Sequence, residues 1–167
     1  MGKILVAYAT RTGTTEEVAG TIAEVLKEAG QEVDVHPAGE VRDLSGYDAV
    51  ILGSAVRAGR LMPEVRRFVR TRREDLQGLP VAAFAVCMVM REDTEANRRK
   101  ASGYLKGIRQ VVTPVAEGLF AGTVRPERLG FFARLAMRLV KAPAGDFRNW
   151  SAIRAWAADL LPALRRD

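Results

Sequence analysis

Lys3-Ile4-Leu5-Val6-Ala7-Tyr8-Ala9 runs straight into Thr10-Arg11-Thr12-Gly13-Thr14-Thr15, and a helical pattern starts at once. The first stretch is a short continuous apolar run and reads as a strand buried on both faces. From Thr14 to Ala29 the residues Val18, Ile22, Val25, Leu26 and Ala29 recur at helical spacing, and Gly30 stops the pattern. A strand feeding a helix through such a turn has a chemical consequence. The first N–H groups of a helix lack partners and carry a partial positive charge, so the site attracts a phosphate. Gly13 lets the backbone approach an anion closely. The threonine hydroxyls add donors, and Arg11 adds charge. GxxxxGK[ST] and GxGxxG are both absent, which argues against a Walker loop and a dinucleotide cradle.

Working outward, apolar runs and helical patterns alternate, as in an α/β protein with a parallel sheet. Further strands are expected at Glu32–His36, Ala49–Ser54, Pro80–Cys87 and Val115–Ala121. Helices are expected from Pro63, a favoured first residue, to Arg73, and from Asp93 to Ile108 with Asp93 or Thr94 as cap. Two more follow, Arg128–Lys141 and Trp150–Leu164, with Ala142–Asp146 as the turn between them. Five strands with intervening helices predict one domain over residues 1–167, built on a doubly wound five-stranded parallel sheet of order 2-1-3-4-5 with helices on both faces. In that order the ends of strands 1, 3 and 4 lie side by side, at the switch point where ligands bind. The third strand ends in Gly53-Ser54-Ala55-Val56-Arg57-Ala58-Gly59, and the fourth in Val86-Cys87-Met88-Val89-Met90. One loop would grip a phosphate while the other two flank a flat ring.

These residues carry a resemblance. Thr10-x-Thr12-Gly13-x-Thr15 after an N-terminal strand resembles the phosphate loop of the flavodoxins. Gly53-Ser-Ala-Val-Arg57-x-Gly59, Arg67-Phe68-Val69, the tail Arg134–Lys141 and Asn149-Trp150 with Trp156-Ala157 are similar to a narrower group. That group is the flavodoxin-type, menaquinone-dependent protoporphyrinogen dehydrogenases and related flavodoxin-domain proteins. The resemblance implies one flavin mononucleotide (FMN), with its phosphate on Thr10, Arg11, Thr12, Gly13, Thr14 and Thr15. It places the ring between Ser54, Ala55, Val56, Arg57, Ala58 and Gly59 on one side and Val86, Cys87, Met88 and Val89 on the other. It implies an FMN-dependent oxidoreductase with a porphyrinogen or other reduced organic donor and a quinone acceptor. The alternative is an electron-transfer module serving a protein partner. No catalytic side chain is expected, because the flavin supplies the chemistry. The chain departs from many flavodoxins in offering no Trp or Tyr in the flanking loops, and in being basic where carrier flavodoxins are acidic.

The 167 residues are 48% hydrophobic and 28% charged, as in an ordinary globular protein, and no apolar run approaches the roughly 20 residues of a membrane span. The start MGKILVAY lacks a signal-peptide layout, so a cytoplasmic location is expected. The lone Cys87 reads as a small buried hydrophobe, and the lone His36 has no partner to make a metal site. The net charge of +6 is uneven: residues 1–123 carry 17 Lys+Arg against 16 Asp+Glu, and residues 124–167 carry 9 against 4. Within 128–141, Phe131, Phe132, Leu135, Ala136, Leu139 and Val140 form a stripe, with Arg134, Arg138 and Lys141 beside it. The simpler reading packs that stripe on the sheet as a covering helix. The other lays it on an anionic membrane as a peripheral contact. No nucleic-acid partner is expected, since no aromatic platform accompanies the arginines.

Overall fold

In the computed structural model, which describes residues 2–124, 130–139 and 144–165, the first strand lies inside the sheet, with a neighbour on each side. Strand β1 (Lys3–Ala9) pairs in parallel with β2 (Glu32–Pro37) on one side and with β3 (Tyr47–Arg57) on the other. Strand β3 pairs with β5 (Val81–Val86), and β5 with β6 (Ala116–Phe120), all parallel. The order β2-β1-β3-β5-β6 is the doubly wound order expected for the five main strands. Strand β4 (Arg60–Leu61) was not expected; it folds back antiparallel on the end of β3.

Alternation along β1 decides which helix covers which face. Ile4, Val6 and Tyr8 pack with Val18, Ile22 and Leu26 of α1 (Thr14–Glu28) and with Ile153, Ala157 and Leu160 of α7 (Trp150–Leu164). Leu5, Ala7 and Ala9 pack on the opposite side with Val65, Phe68 and Val69 of α2 (Pro63–Thr71), Leu76 of α3 (Arg73–Gln77) and Ile108 of α5 (Lys106–Arg109). Each fully buried Ile, Leu or Val contributes about 1.5–3 kcal/mol relative to exposure.

The helix expected over 63–73 forms as α2 and is followed by the unexpected α3, while the one expected over 93–108 is divided. The chain leaves helical geometry at Arg72 (φ −110°, ψ 22°), between α2 and α3. The stretch expected over 93–108 becomes α4 (Glu95–Gly103) and α5, broken after Gly103, where glycine weakens a helix. Thr94, rather than Asp93, caps α4 by accepting from the Asn97 N–H at 3.1 Å. Asn149 caps α7 in the same way, accepting from Ala152 N–H at 3.0 Å.

After β6 the chain makes an excursion. Its base is a two-stranded ribbon, β7 (Thr123–Val124) against β8 (Gly145–Asp146), also not expected from sequence. Within it lies α6 (Phe131–Leu139). The ends of the expected helix at Arg128, Val140 and Lys141, and the start of the expected turn at Ala142, lie outside the described residues. No residue of α6 is buried, which overturns the reading of its stripe as a cover for the sheet.

Candidate functional site

The turn between β1 and α1 forms as the sequence requires. Gly13 sits at φ +88°, a left-handed conformation that glycine adopts without strain. Its N–H donates to Thr10 Oγ1 at 3.0 Å. The first i→i−4 bond of the helix is Glu17 N–H to Gly13 O, so the N–H groups of Thr14, Thr15 and Glu16 precede the helical ladder. The Thr14 and Thr123 hydroxyls lie 2.6 Å apart, joining the turn to the ribbon after β6. Thr15 is different. It is fully buried, and its Oγ1 has no hydrogen-bond partner among the described residues. Native interiors rarely leave a buried hydroxyl unmatched, because desolvating it without a partner costs about 1–3 kcal/mol.

That turn opens into a cleft of about 410 Å³, within the range of small-ligand sites. Thr10, Arg11, Thr12, Thr14 and Thr15 form one end, while Ala55, Val56 and Arg57 from the end of β3 and Val86, Cys87 and Met88 from the end of β5 form the walls. The three strand-end loops singled out in the sequence therefore meet in one place. Arg11 and Arg57 are exposed there. Burial pushes the Cys87 thiol up from its ordinary value, against a smaller opposing effect from the Met90 and Val89 backbone, so it is an un-ionised part of the wall at neutral pH.

Five of the expected contact residues do not line the cleft: Gly13, Ser54, Ala58, Gly59 and Val89. Ser54 is buried, and its hydroxyl is spent locally, donating to Ala55 O at 2.7 Å and accepting from Met62 N–H at 2.9 Å. Ala58 (φ +50°) and Gly59 (φ +72°) are the two central residues of the β3–β4 hairpin and point the chain back rather than inward. Conversely, Met62, Gly122, Thr123, Gly130 and Ala133 line the cleft without having been expected. Gly122-Thr123 had a readable signal, a small polar pair just past a strand end like the other two loops. Met62 arrives by the hairpin, and Gly130 and Ala133 by the excursion, which local sequence does not foretell.

The excursion is anchored beside the turn. The Arg148 side chain is almost fully buried; its Nε and Nη2 donate to the Asp146 carboxylate at 2.9 and 2.7 Å, and its Nη1 contacts the Glu17 carboxylate on α1. Its guanidinium also lies 4.4 Å from the Trp150 ring centroid. Phe147 N–H donates to Gly122 O at 3.1 Å, closing the base against the cleft.

A parallel doubly wound sheet with an anion-ready helix start and an apolar-walled cleft at its switch point defines a class of α/β ligand-binding proteins. Comparison with known proteins gives the family. A family model described as "Flavodoxin domain" matches residues 5–151, and the chain belongs to that family. The protoporphyrinogen IX dehydrogenase [quinone] of Escherichia coli K12 is 26% identical over 171 residues, covering 95% of this chain and 94% of that protein. Among solved structures, an archaeal flavodoxin superposes with TM-score 0.60 at 15% identity, covering 98% of this chain and 99% of its own. A Fusobacterium nucleatum flavodoxin mutant bound to flavin mononucleotide gives 0.54 at 18% identity, covering 72% of this chain and 69% of its own.

Proposed function

We propose that this chain is an FMN-dependent oxidoreductase that passes electrons from a reduced organic donor to a quinone. One observation carries the reading: the buried, unpartnered Thr15 hydroxyl faces the same cleft as the free N–H groups that open α1. A phosphate monoester satisfies all of these donors at once, since it brings acceptor oxygens and negative charge to a helix start. Thr10, Thr12, Thr14 and Thr15 with the neighbouring N–H groups hold the phosphate. Ala55, Val56 and Arg57 on one wall and Val86, Cys87 and Met88 on the other hold the ring. When bound, FMN would supply the redox chemistry.

The protein contributes positioning and electrostatics. The apolar side chains of Val56, Met62, Val86 and Met88 exclude water from the walls. Arg57, exposed at the cleft, favours an anionic group there, either reduced cofactor or a substrate carboxylate. The near full-length similarity to a protoporphyrinogen dehydrogenase supports a porphyrinogen donor and a quinone acceptor. The flavodoxin likeness of the fold favours a second reading, an electron-transfer module docking on a protein partner.

The test begins with the visible spectrum of the purified chain and a titration with FMN, where one equivalent bound is expected. Anaerobic oxidation of protoporphyrinogen with a menaquinone analogue as acceptor follows. Failure to bind FMN removes both readings. FMN binding without quinone-dependent turnover, but with rapid electron exchange with a reductase, selects the second.

A further inference from the structure

Helix α6 is built the wrong way round for a covering helix. Successive residues are turned by about 100°, so Phe131, Phe132, Leu135 and Leu139 fall within one arc of about 100°. Ala133 and Met137 lie on the opposite side. Ala133 is the residue that lines the cleft, and Met137 is the one residue of α6 that is half-buried rather than exposed. The apolar arc therefore points away from the protein body, with Phe131 66%, Phe132 83%, Leu135 43% and Leu139 76% exposed. Four large apolar side chains on one exposed stripe are an interaction surface rather than scattered surface hydrophobes.

We infer that α6 is an interfacial helix that seats the cleft's edge on an anionic lipid bilayer. Charge complementarity selects this partner. Arg134 and Arg138 lie along one border of the arc, where they share a shallow groove with Phe131 and Leu135. Residues 130–145 contain three basic and no acidic side chains. A short helix with an apolar arc and a basic flank lies in the plane of the headgroups, its rings among the acyl chains and its arginines on the phosphates. No described helix is long and apolar enough to cross a membrane, so the attachment is peripheral.

Geometry links docking to the site. Gly130 and Ala133 line the cleft from the start of the helix whose outer face meets the lipid. The excursion's base is held against α1 by the Arg148–Glu17 contact and by the paired Thr14 and Thr123 hydroxyls. A bilayer-dissolved acceptor would thus meet the cleft without leaving the interface. This use of docking rests on the proposed function; the docking itself needs no flavin.

The experiment is co-sedimentation of the full chain, with and without FMN, using phosphatidylcholine vesicles that contain or lack phosphatidylglycerol, at low and high salt. Binding is expected only with phosphatidylglycerol, weakening with salt and independent of FMN. Each basic residue near a membrane surface contributes about a fivefold factor, so Arg134→Gln/Arg138→Gln should lower partitioning roughly 25-fold. Phe132→Ser/Leu139→Ser should lower it by roughly tenfold or more. Both variants alter only exposed positions away from the cleft wall and should keep the wild-type melting temperature and FMN affinity. Three results overturn the inference: no binding to anionic vesicles at low salt, variants that bind like wild type, or a wild-type dimer that Phe132→Ser/Leu139→Ser dissociates. The last would mean that a second copy covers the stripe. Loss of FMN binding with vesicle binding intact would sink the proposed function alone.

Discussion

Replacing Thr15 by valine should move the two states of this protein in opposite directions. In the ligand-free chain the Thr15 hydroxyl is buried without a partner, at a cost of about 1–3 kcal/mol. Valine keeps the shape and removes the orphan, so the ligand-free form should gain about 1–2 kcal/mol. At about 2–4 °C per kcal/mol for a chain of this size, its Tm should rise by roughly 2–8 °C. With FMN present the same hydroxyl donates to a charged phosphate, a bond worth about 1.5–3 kcal/mol. Its loss should weaken FMN binding roughly 10- to 150-fold. Thermal unfolding of the flavin-free protein and fluorescence titration with FMN read the two effects separately. Thr14→Val is the control: its hydroxyl already lies 2.6 Å from that of Thr123, so its removal should destabilise the free form by about 1 kcal/mol. If Thr15→Val leaves the Kd within about twofold of wild type, or lowers the Tm of the free form, the cradle is not a phosphate site and the reasoning fails.

Other positions give independent checks. A Cβ at Gly53 would lie 2.0 Å from Phe84 Cζ, a fully buried ring that itself packs near Phe120 and Trp156. Gly53→Ala should therefore destabilise by about 3 kcal/mol, seen as a drop in denaturation midpoint at unchanged m-value. At the β3–β4 hairpin, Ala58 holds φ +50°, which alanine adopts at a cost of roughly 1 kcal/mol and asparagine adopts more readily. Ala58→Asn should raise stability by about 0.5–1 kcal/mol in the same measurement. Lys3 Nζ at 2.8 Å, followed by the Tyr47 hydroxyl at 2.7 Å, holds the Asp34 carboxyl below its ordinary value of 3.8. Because the folded value is the lower one, this stability is complete above 3.8 and is lost as pH falls through the folded value. Asp34→Asn should flatten that part of the acid unfolding curve, followed by circular dichroism against pH; an unchanged slope would show that the pair contributes nothing.

Much of the core was readable locally. The apolar run Lys3–Ala9 became a buried inner strand, because a parallel strand covered on both faces has no need of polar alternation. Pro63 stands at the start of α2, and Thr94 caps α4. Elements held by few local signals were misjudged. The short strands β4, β7 and β8 form only because a distant or folded-back segment offers a partner, and a two-residue strand carries no periodicity to read. Ser54 was expected beside the ring, and no local pattern announced that its hydroxyl would turn inward to accept from the Met62 N–H brought by the hairpin.

The amino-acid order alone determined that a helix begins at Thr14, behind a glycine that lets the backbone approach an anion, leaving N–H donors for it, because those are short-range consequences of backbone stereochemistry and helix geometry. It also determined, through the spacing of apolar residues, that five strands would share one sheet with the ends of three of them at a common crevice. The tertiary structure decided which side chains face that crevice and which face water. Thr15 is left buried without a partner only once the strands are assembled around it. The stripe on α6 looks outward because the base of its excursion is fastened to α1 and to Gly122. An amphipathic pattern records that a face is apolar, and only packing decides what that face meets.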